Sequence, residues 1–410
     1  MISAAVEPHV DAFKPDNREP LTPDFATTGK APGAQRQQNP NMRKILFVTS
    51  EIADLVKTGG LGDVSAALPR ALAHLHDVRV LIPGYRQVME SDNPIHIVGE
   101  LGGHAALPPC KIGRMDMADG LVIYVLICPE LYQRDGTPYG ANNGRDWPDN
   151  HIRFARLGLA AAEIAAGEGK IHWTPEVVHA HDWPAGLAPA YMHWRGLNTP
   201  TLFTIHNLAY QGVYSRGCSP ELAIPEHAMQ QEGMEFYGKL SFLKAGMAYS
   251  SHITTVSATY AQEITTPAFG CGLDGLLRER TDRLSGILNG IDVDVWNPAT
   301  DPHLPVHFDR DAIHQRVSLK FELQQSFGLP VESGVPILAW VGRLVEQKGI
   351  DLLLDIMPRL MAMPLQIALI GSGDKRFEQS LLHWSRLFPD RLAVRLGYDE
   401  ASARLIEGGT

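Results

Sequence analysis

Short hydrophobic runs alternate with longer amphipathic stretches along the chain from residue 42 onward. The runs predict strands at residues 44–49, 78–82, 121–127, 177–181, 201–205, 252–256 and 284–288. Segments of helical length lie at residues 152–166, 185–194, 240–248 and 258–264. Nearly continuous apolar strands separated by helices are typical of a mostly parallel sheet that is covered on both faces. The pattern therefore predicts a doubly wound, Rossmann-like α/β domain over residues 42–305.

A linker at residues 306–332, with a predicted helix at 309–327, leads into a second strand–helix series at 333–410. Its predicted strands are residues 336–341, 366–370 and 392–396, and its predicted helices are 349–362, 375–388 and a last one from 400. Three strands alone would leave a long apolar sheet edge uncovered. We therefore expect this Rossmann-like domain to be incomplete and the chain to be part of a longer protein. A half-domain completed by an oligomer partner is the alternative.

Residues 1–41 differ from the rest because they are rich in Pro, Gln, Asn and charge and lack hydrophobic periodicity. Such a segment buries too little apolar surface to offset the entropy of ordering it, so we expect it to be disordered. Met42 precedes the first strand and would serve equally well as the functional start. Whether residues 1–41 are translated stays open.

Composition narrows the class of protein. The 410 residues are 44% hydrophobic, with a net charge of −10 from 36 Lys and Arg against 46 Asp and Glu. An acidic chain is a poor partner for nucleic acids or anionic membranes. No apolar run approaches the ~20 residues that span a bilayer, and the four cysteines form no CxxC pair. We expect a cytoplasmic protein with reduced thiols that binds neither nucleic acid nor membrane.

A lysine and paired glycines follow the first strand, at Lys57-Thr58-Gly59-Gly60. Backbone N–H groups at a helix start, glycines that permit close approach and a lysine charge together indicate an anion site. The spacing matches neither a P-loop nor GxGxxG, which disfavours a nicotinamide-dependent dehydrogenase. A turn required only for strand–helix packing is the alternative interpretation.

Polar residues also follow later strands. His179, His181 and Asp182 end one strand, and His206 and Asn207 end the next. Because ligands bind at the carboxyl ends of parallel strands, these residues predict a cleft for a polar ligand such as a sugar. A zinc site built on the two histidines of the first strand lacks a further ligand at convincing spacing, so we disfavour it.

The second domain offers two cations, Arg343 and Lys348, between a strand and a helix. An arginine fork and a lysine point charge near a helix start suit a diphosphate. The alternative is that both cations belong to an ordinary solvent-exposed loop. Gly371 and Gly373 repeat the strand–glycine–helix pattern, where a nucleoside would fit or a turn would suffice. Asn289 stands in an Asn-Gly pair that could also be a simple turn.

Taken together, these motifs resemble those of bacterial glycogen synthases and plant starch synthases over residues 43–410. Both are retaining, ADP-glucose-dependent glucosyltransferases of the two-domain GT-B fold. The Lys-x-Gly-Gly-Leu sequence at residues 57–61 is a hallmark of that family. Further matching segments are 131–132, 138–139, 179–183, 206–212, 242–246, 343–344 and 347–349.

The resemblance implies transfer of glucose from ADP-glucose to the non-reducing end of an α-1,4-glucan such as glycogen, without a metal or other cofactor. It implies catalytic roles for His206, Asp182, Arg343 and Lys348. Binding of the donor and its nucleotide would involve Lys57, Thr58, Gly59, Gly60, Asn289, Arg343, Lys348, Gly371 and Gly373. Surrounding or acceptor-binding positions would be Glu51, Asp63, Tyr132, Tyr139, Asn207 and Gln211.

Two departures from the family pattern qualify these expectations. Pro184 replaces a histidine that some relatives carry after the Asp-Trp pair. The family's later Glu-containing segment and second Gly-Gly motif would lie beyond Thr410, so we expect the 410-residue chain to be poorly active. Two other functions stay open: a UDP-glucose-dependent, sucrose-synthase-like hexosyltransferase and a non-catalytic binder of glucan or nucleotide. The sequence does not indicate the oligomeric state, the regulation, the donor preference or the acceptor length.

Overall fold

The structure, a computed structural model, describes residues 42–142, 144–397 and 399–410. Residues 43–410 form one compact unit. The predicted disorder of residues 1–41 falls outside the described residues.

Strands alternate with helices along the described chain, as the hydrophobic pattern predicts. The strands are β1 Lys44–Val48, β2 Asp77–Pro83, β3 Ile95–Leu101, β4 Cys110–Asp116, β5 Val122–Ile127, β6 Val177–His181, β7 Thr201–Ile205, β8 Val213–Ser215, β9 Glu235–Phe236, β10 Lys239–Ser241, β11 His252–Thr255, β12 Leu284–Gly286, β13 Ile337–Val341, β14 Gln366–Gly371 and β15 Leu392–Leu396. The α-helices are α1 Gly60–Ala73, α2 Arg86–Met89, α3 Pro129–Tyr132, α4 Asn150–Ala165, α5 Asp182–Ala185, α6 Leu187–Trp194, α7 Phe242–Tyr249, α8 Ala258–Glu263, α9 Asp274–Glu279, α10 Arg316–Phe327, α11 Ile350–Asp355, α12 Met357–Leu360, α13 Lys375–Leu387 and α14 Glu400–Gly409. Short 3₁₀ turns lie at Arg216–Cys218, Glu226–Ala228, Thr281–Arg283, Ile313–Gln315 and Glu346–Lys348.

The first lobe is built on a large sheet with the order β12-β11-β7-β6-β1-β2-β5-β4-β3 in the described chain. From β12 to β5 every neighbouring pair is parallel, and β4 and β3 add antiparallel strands at one edge. The central strand β1 is almost wholly buried, and Leu46, Phe47 and Val48 are inaccessible to solvent. Burial on both faces explains why these strands read as continuous apolar runs. The prediction of a parallel, doubly covered sheet is confirmed.

The second lobe has three parallel strands in the order β13-β14-β15. Helices α10 and α14 pack on one face of this sheet, where Leu323 and Ile406 join Ile370 in a buried cluster. The helix predicted at 349–362 is divided at Ile356 into α11 and α12, because Pro358 has no N–H to donate. The connecting helix begins at Arg316, later than predicted.

Two short antiparallel regions were missed by the sequence analysis. Strands β3 and β4 contain charged, exposed and glycine positions among their apolar residues, so they lack a continuous apolar run. Strands β8, β10 and β9 form a small separate sheet beside the strand ends of the first lobe. Across the described helices, none combines the length and apolar character needed to cross a bilayer.

Candidate active site

The carboxyl ends of β1, β6 and β7 meet because these three strands are neighbours in the sheet. His179 and His181 share a face of β6, as predicted, with ring centroids 4.0 Å apart. His181 Nδ1 lies 3.0 Å from His206 Nε2 at the end of β7. Phe47 of β1 stacks on His181 with a centroid separation of 3.9 Å. The result is a row of imidazoles, buried at His179 and His181 and partly exposed at His206, that leads from the sheet to the strand ends.

Asp182 holds the turn that presents His206. Its carboxylate oxygen Oδ1 accepts hydrogen bonds from the backbone N–H of His206 at 2.7 Å and of Asn207 at 3.4 Å. Asp182 has a φ of 55°, a left-handed conformation that aspartate tolerates better than most residues. Its side chain is therefore directed into the strand-end turn and fixes the backbone from which the His206 imidazole projects.

Burial sets the protonation states of this cluster. It raises the pKa of Asp182 to about 7, against the opposing backbone hydrogen bonds from His206 and Asn207. It lowers the pKa of His206 to about 4 and that of His179 to about 3. The imidazoles are consequently neutral near pH 7, and each offers one donor and one acceptor nitrogen. Neutral rings suit hydrogen bonding to a sugar better than charge stabilisation of a phosphate.

The glycine-rich loop lies beside this cluster at the start of α1. Glu51 Oε2 accepts hydrogen bonds from the N–H groups of Thr58 at 2.6 Å and Gly59 at 3.0 Å. Two of the N–H groups expected to bind an anionic ligand are thus occupied by an internal carboxylate. Lys57 Nζ forms an ion pair with Asp63 at 2.8 Å.

The glycines of this loop are not explained by packing. A Cβ added to Gly59 or Gly60 would meet nothing within 4 Å, and the φ of Gly59 is an ordinary extended −159°. This argues against a turn required only for strand–helix packing, and close approach of a ligand to these glycines stays a prediction. Gly371 and Gly373 differ, since an added Cβ would lie 2.0 Å from the Gly342 carbonyl or 2.3 Å from that of Leu344.

The second lobe brings an arginine to the same cleft. Arg343 Nη1 lies 3.2 Å from the Tyr210 hydroxyl, and its guanidinium is 5.9 Å from the centre of that ring. The side-chain amides of Asn207 and Gln347 also pair, with Asn207 Nδ2 3.3 Å from Gln347 Oε1. The loop after β7 therefore faces the loop after β13, and Lys348 is the next, exposed residue of that loop.

Burial raises the pKa of Glu407 in α14, and the positive charges of Arg404 and Lys57 oppose that shift. The ion pair of Lys57 with Asp63 lies within the first lobe, so convergence of Lys57 with Arg343 and Lys348 stays a prediction.

The remaining predicted site residues are distributed unevenly around this cleft. Tyr132 is buried and donates a hydrogen bond to the Arg153 carbonyl at 2.6 Å, away from any surface a glucan could reach. Tyr139 is directed at Glu51 and Ser50, so it supports the glycine loop. Gln211 is buried and donates to the Cys271 carbonyl at 2.9 Å. Asn289 is exposed in the segment that follows β12.

An aromatic pocket next to the strand ends was missed by the sequence analysis. It has a volume of about 420 Å³ and is lined by Trp183, Tyr210, Tyr214 and Phe236 together with Asp146. Trp183 directly follows Asp182, so the pocket opens beside the imidazole cluster. The only sequence signal was the concentration of aromatic residues after the strand ends, which is equally typical of ordinary cores.

Two Rossmann-like lobes that face each other across a cleft with polar strand ends and cations define a GT-B glycosyltransferase, and comparisons with known proteins agree. Residues 44–279 match the family described as the starch synthase catalytic domain. The catalytic domain of starch synthase IV from Arabidopsis thaliana, bound to ADP and acarbose, superposes with a TM-score of 0.80 at 29% identity, covering 90% of this chain and 77% of that one.

Curated relatives identify the branch of the family. The glycogen synthase of Pseudomonas putida is 77% identical over 100% of this chain and 79% of its own length, and that of Pseudomonas aeruginosa is 53% identical over 91% of this chain and 73% of its own. The chain belongs to the glycogen synthase family and is a glycosyltransferase. The sucrose-synthase-like and non-catalytic alternatives are not favoured.

Proposed function

We propose that this glycogen synthase transfers glucose from ADP-glucose to the non-reducing end of an α-1,4-glucan, with retention of configuration. The observation that carries the proposal is the approach of Arg343 to Tyr210 at 3.2 Å, which brings a second-lobe cation to the loop that follows β7 of the first lobe. The Arabidopsis starch synthase IV structure contains ADP and acarbose, a nucleoside diphosphate and an oligosaccharide mimic. The presence of these two ligand types in a structural neighbour supports a nucleotide-sugar donor and a glucan acceptor for this chain.

The donor diphosphate would lie between the lobes. Arg343 offers a planar fork of donors and Lys348 a point charge, while Lys57 borders the cleft from the first lobe. These cations would neutralise the negative charge that grows on the diphosphate as it leaves. We propose that this charge stabilisation replaces a divalent ion, so that no metal takes part in the transfer.

The transferred glucose would lie at the Asp182–His206 turn. The C1–oxygen bond to the diphosphate breaks as the acceptor O4 bonds to C1 from the same face, and the acceptor proton passes to the departing phosphate oxygen. The neutral His206 ring would hydrogen-bond a glucose hydroxyl, and Asp182 would hold that ring in place through the backbone. Asn207 and Asn289 would supply further hydrogen bonds to the sugar.

The glucan acceptor would enter through the aromatic pocket. Sugar rings have apolar faces that pack on aromatic side chains, while their hydroxyls need polar partners. Trp183, Tyr210 and Tyr214 provide the aromatic walls and Asp146 a polar partner. Closure of the lobes around both substrates would exclude water, which would otherwise hydrolyse the donor.

The proposal is tested by incubating the purified chain with radiolabelled ADP-glucose and glycogen. We expect label to enter glycogen in α-1,4 linkage with release of ADP, to persist in EDTA, and to be little reduced by excess UDP-glucose. Strong competition by UDP-glucose would contradict the choice of donor, and ADP-glucose binding without transfer would favour a non-catalytic binder. A cytoplasmic location stays a prediction.

A further inference from the structure

We propose that His151, Cys218 and Glu221 form a zinc-binding site on the first lobe. His151 lies in the first turn of α4, Cys218 ends the 3₁₀ turn Arg216–Cys218, and Glu221 follows one turn later. One ligand atom from each residue, an imidazole nitrogen, the sulfur and a carboxylate oxygen, lies within 4.8 Å of the other two. This cluster belongs to neither the donor cations nor the imidazole row of the cleft.

The residue types match the chemistry of zinc. Zinc binds imidazole, thiolate and carboxylate in tetrahedral sites with bonds of about 2.0–2.3 Å, which places ligand atoms about 3.3–3.8 Å apart. His151 Nε2 and Glu221 Oε2 are already 3.5 Å apart. Contraction of the remaining distances to the tetrahedral range requires a movement of about 1 Å. The Glu221 side chain is 53% exposed and free to rotate that far.

Charge also favours a soft divalent ion. A cysteine thiolate and a glutamate carboxylate carry two negative charges, which balance one Zn²⁺, and the neutral imidazole completes three protein ligands. A thiolate ligand disfavours Mg²⁺ and Ca²⁺, which prefer oxygen. The fourth position would be taken by water.

The backbone around the three side chains is anchored on both sides. The Glu221 carbonyl accepts from the Ala106 N–H at 2.9 Å, and the carbonyl of the fully buried Leu222 accepts from the Tyr191 hydroxyl at 2.6 Å. The His151 ring packs against Tyr214 with centroids 5.6 Å apart. Because these contacts fix the backbone and the His151 ring, metal binding would need to order mainly the Cys218 and Glu221 side chains.

The position of the site gives it a structural consequence. Tyr214 lies in β8 and lines the aromatic pocket, and the 3₁₀ turn that carries Cys218 follows β8 directly. A bound metal would therefore tie this wall of the pocket to α4. It would lie outside the transfer chemistry, so its removal would not abolish transfer.

An ordinary ion pair between His151 and Glu221 beside an unrelated thiol is the competing explanation, and cobalt titration separates the two. We expect metal-free protein to bind one Co²⁺ with a near-ultraviolet thiolate-to-cobalt charge-transfer band, and Zn²⁺ to displace it. Zn²⁺ would also raise the thermal unfolding midpoint, because it binds the folded state.

The matched variants are Cys218→Ser and Cys271→Ser, since Cys271 is a second accessible thiol. Cys218→Ser is expected to lose the band and weaken zinc binding by roughly 100-fold, and Glu221→Gln to weaken it less. Cys271→Ser should keep the band and the thermal shift. A wild-type protein that shows no band, or a band that survives in Cys218→Ser, would overturn the proposal. Neither readout depends on glucosyl transfer.

Discussion

At the scale of single residues, Arg343 differs from an ordinary surface arginine because it faces Tyr210 of the other lobe. Arg343→Lys keeps the charge but loses the planar fork that suits a diphosphate. We expect kcat/KM for ADP-glucose to fall roughly 10- to 100-fold, which corresponds to the loss of about 1.5–3 kcal/mol of charged hydrogen bonding.

Arg310→Lys is the matched control, because the Arg310 side chain is 93% exposed. Initial rates with labelled donor should be unchanged in this variant. If Arg343→Lys also retained the full rate, the proposal that the Arg343 guanidinium binds the diphosphate as a planar fork would be wrong.

The lowered pKa of His206 predicts how the free energy of unfolding depends on pH. The ordinary pKa of His206 is 6.5 and burial lowers it to about 4 in the folded protein. Between these values the unfolded chain binds a proton that the folded chain does not. The free energy of unfolding therefore falls as the pH drops below 6.5, by up to about 1.4 kcal/mol per pH unit for each such histidine.

Asp182 acts in the opposite direction, since its pKa is raised to about 7 and its contribution to stability is lost as the pH rises through that value. His206→Gln isolates the histidine, and urea unfolding between pH 7 and 5 should show a shallower loss of stability than in the wild type. His227→Gln, at an exposed histidine, should keep the wild-type slope. Parallel slopes for all three proteins would show that His206 titrates normally.

The proximity of Asp182 and His206 was predictable from the sequence, because their motifs end adjacent strands of the sheet. Partners were not. Nothing in the spacing of Glu51 indicates that its carboxylate accepts from the N–H groups of Thr58 and Gly59, seven and eight residues away. Tyr132 was expected at a surrounding or acceptor-binding position because it lies in a family motif, and the sequence did not indicate that it is buried against Arg153.

At the scale of elements, the two glycine turns are expected to respond differently to alanine. Gly371 ends β14, and an added Cβ would lie 2.0 Å from the Gly342 carbonyl. We expect Gly371→Ala to lower the free energy of unfolding by about 1–3 kcal/mol through overpacking. Gly334→Ala, where an added Cβ meets nothing within 4 Å, should change it by less than about 0.5 kcal/mol. Equal urea midpoints for both variants would contradict a packing role for Gly371.

Gly59 directly precedes α1, and the opposite result is expected for it: alanine there should affect ligand binding more than stability. Gly59→Ala should cost less than about 1 kcal/mol of stability, the usual range for such a helix-capping change. It should weaken ADP binding several-fold, since the methyl group would occupy space that is open to a ligand. Isothermal titration calorimetry measures the affinity for ADP directly. Unchanged affinity would mean that the glycine loop does not approach the nucleotide.

Element positions followed the hydrophobic pattern closely where burial is nearly complete, as in β6, β7 and β14. They were missed in β3 and β4, because exposed, charged and glycine positions interrupt the apolar residues of both strands. The split between α11 and α12 was hidden because both halves continue one apolar face, although Pro358 marks the break.

At the scale of the whole molecule, the approach of the lobes could not be derived from the spacing of residues. Asn207 and Gln347 are 140 residues apart in the chain, yet their amides pair across the cleft. Such a contact depends on how α10 and α14 orient the second sheet. Only the resemblance to two-domain glycosyltransferases predicted that the motifs of the two lobes would face each other.

The affinity for ADP tests most directly whether the diphosphate is held by both lobes at once. Isothermal titration of the wild type, Lys57→Ala and Lys348→Ala should show a loss of about tenfold or more in each variant, or at least about 1.4 kcal/mol. Lys111→Ala, on the antiparallel edge of the first sheet, should bind ADP as the wild type does. Weakened binding in one variant with wild-type affinity in the other would place the nucleotide on a single lobe and contradict the shared site.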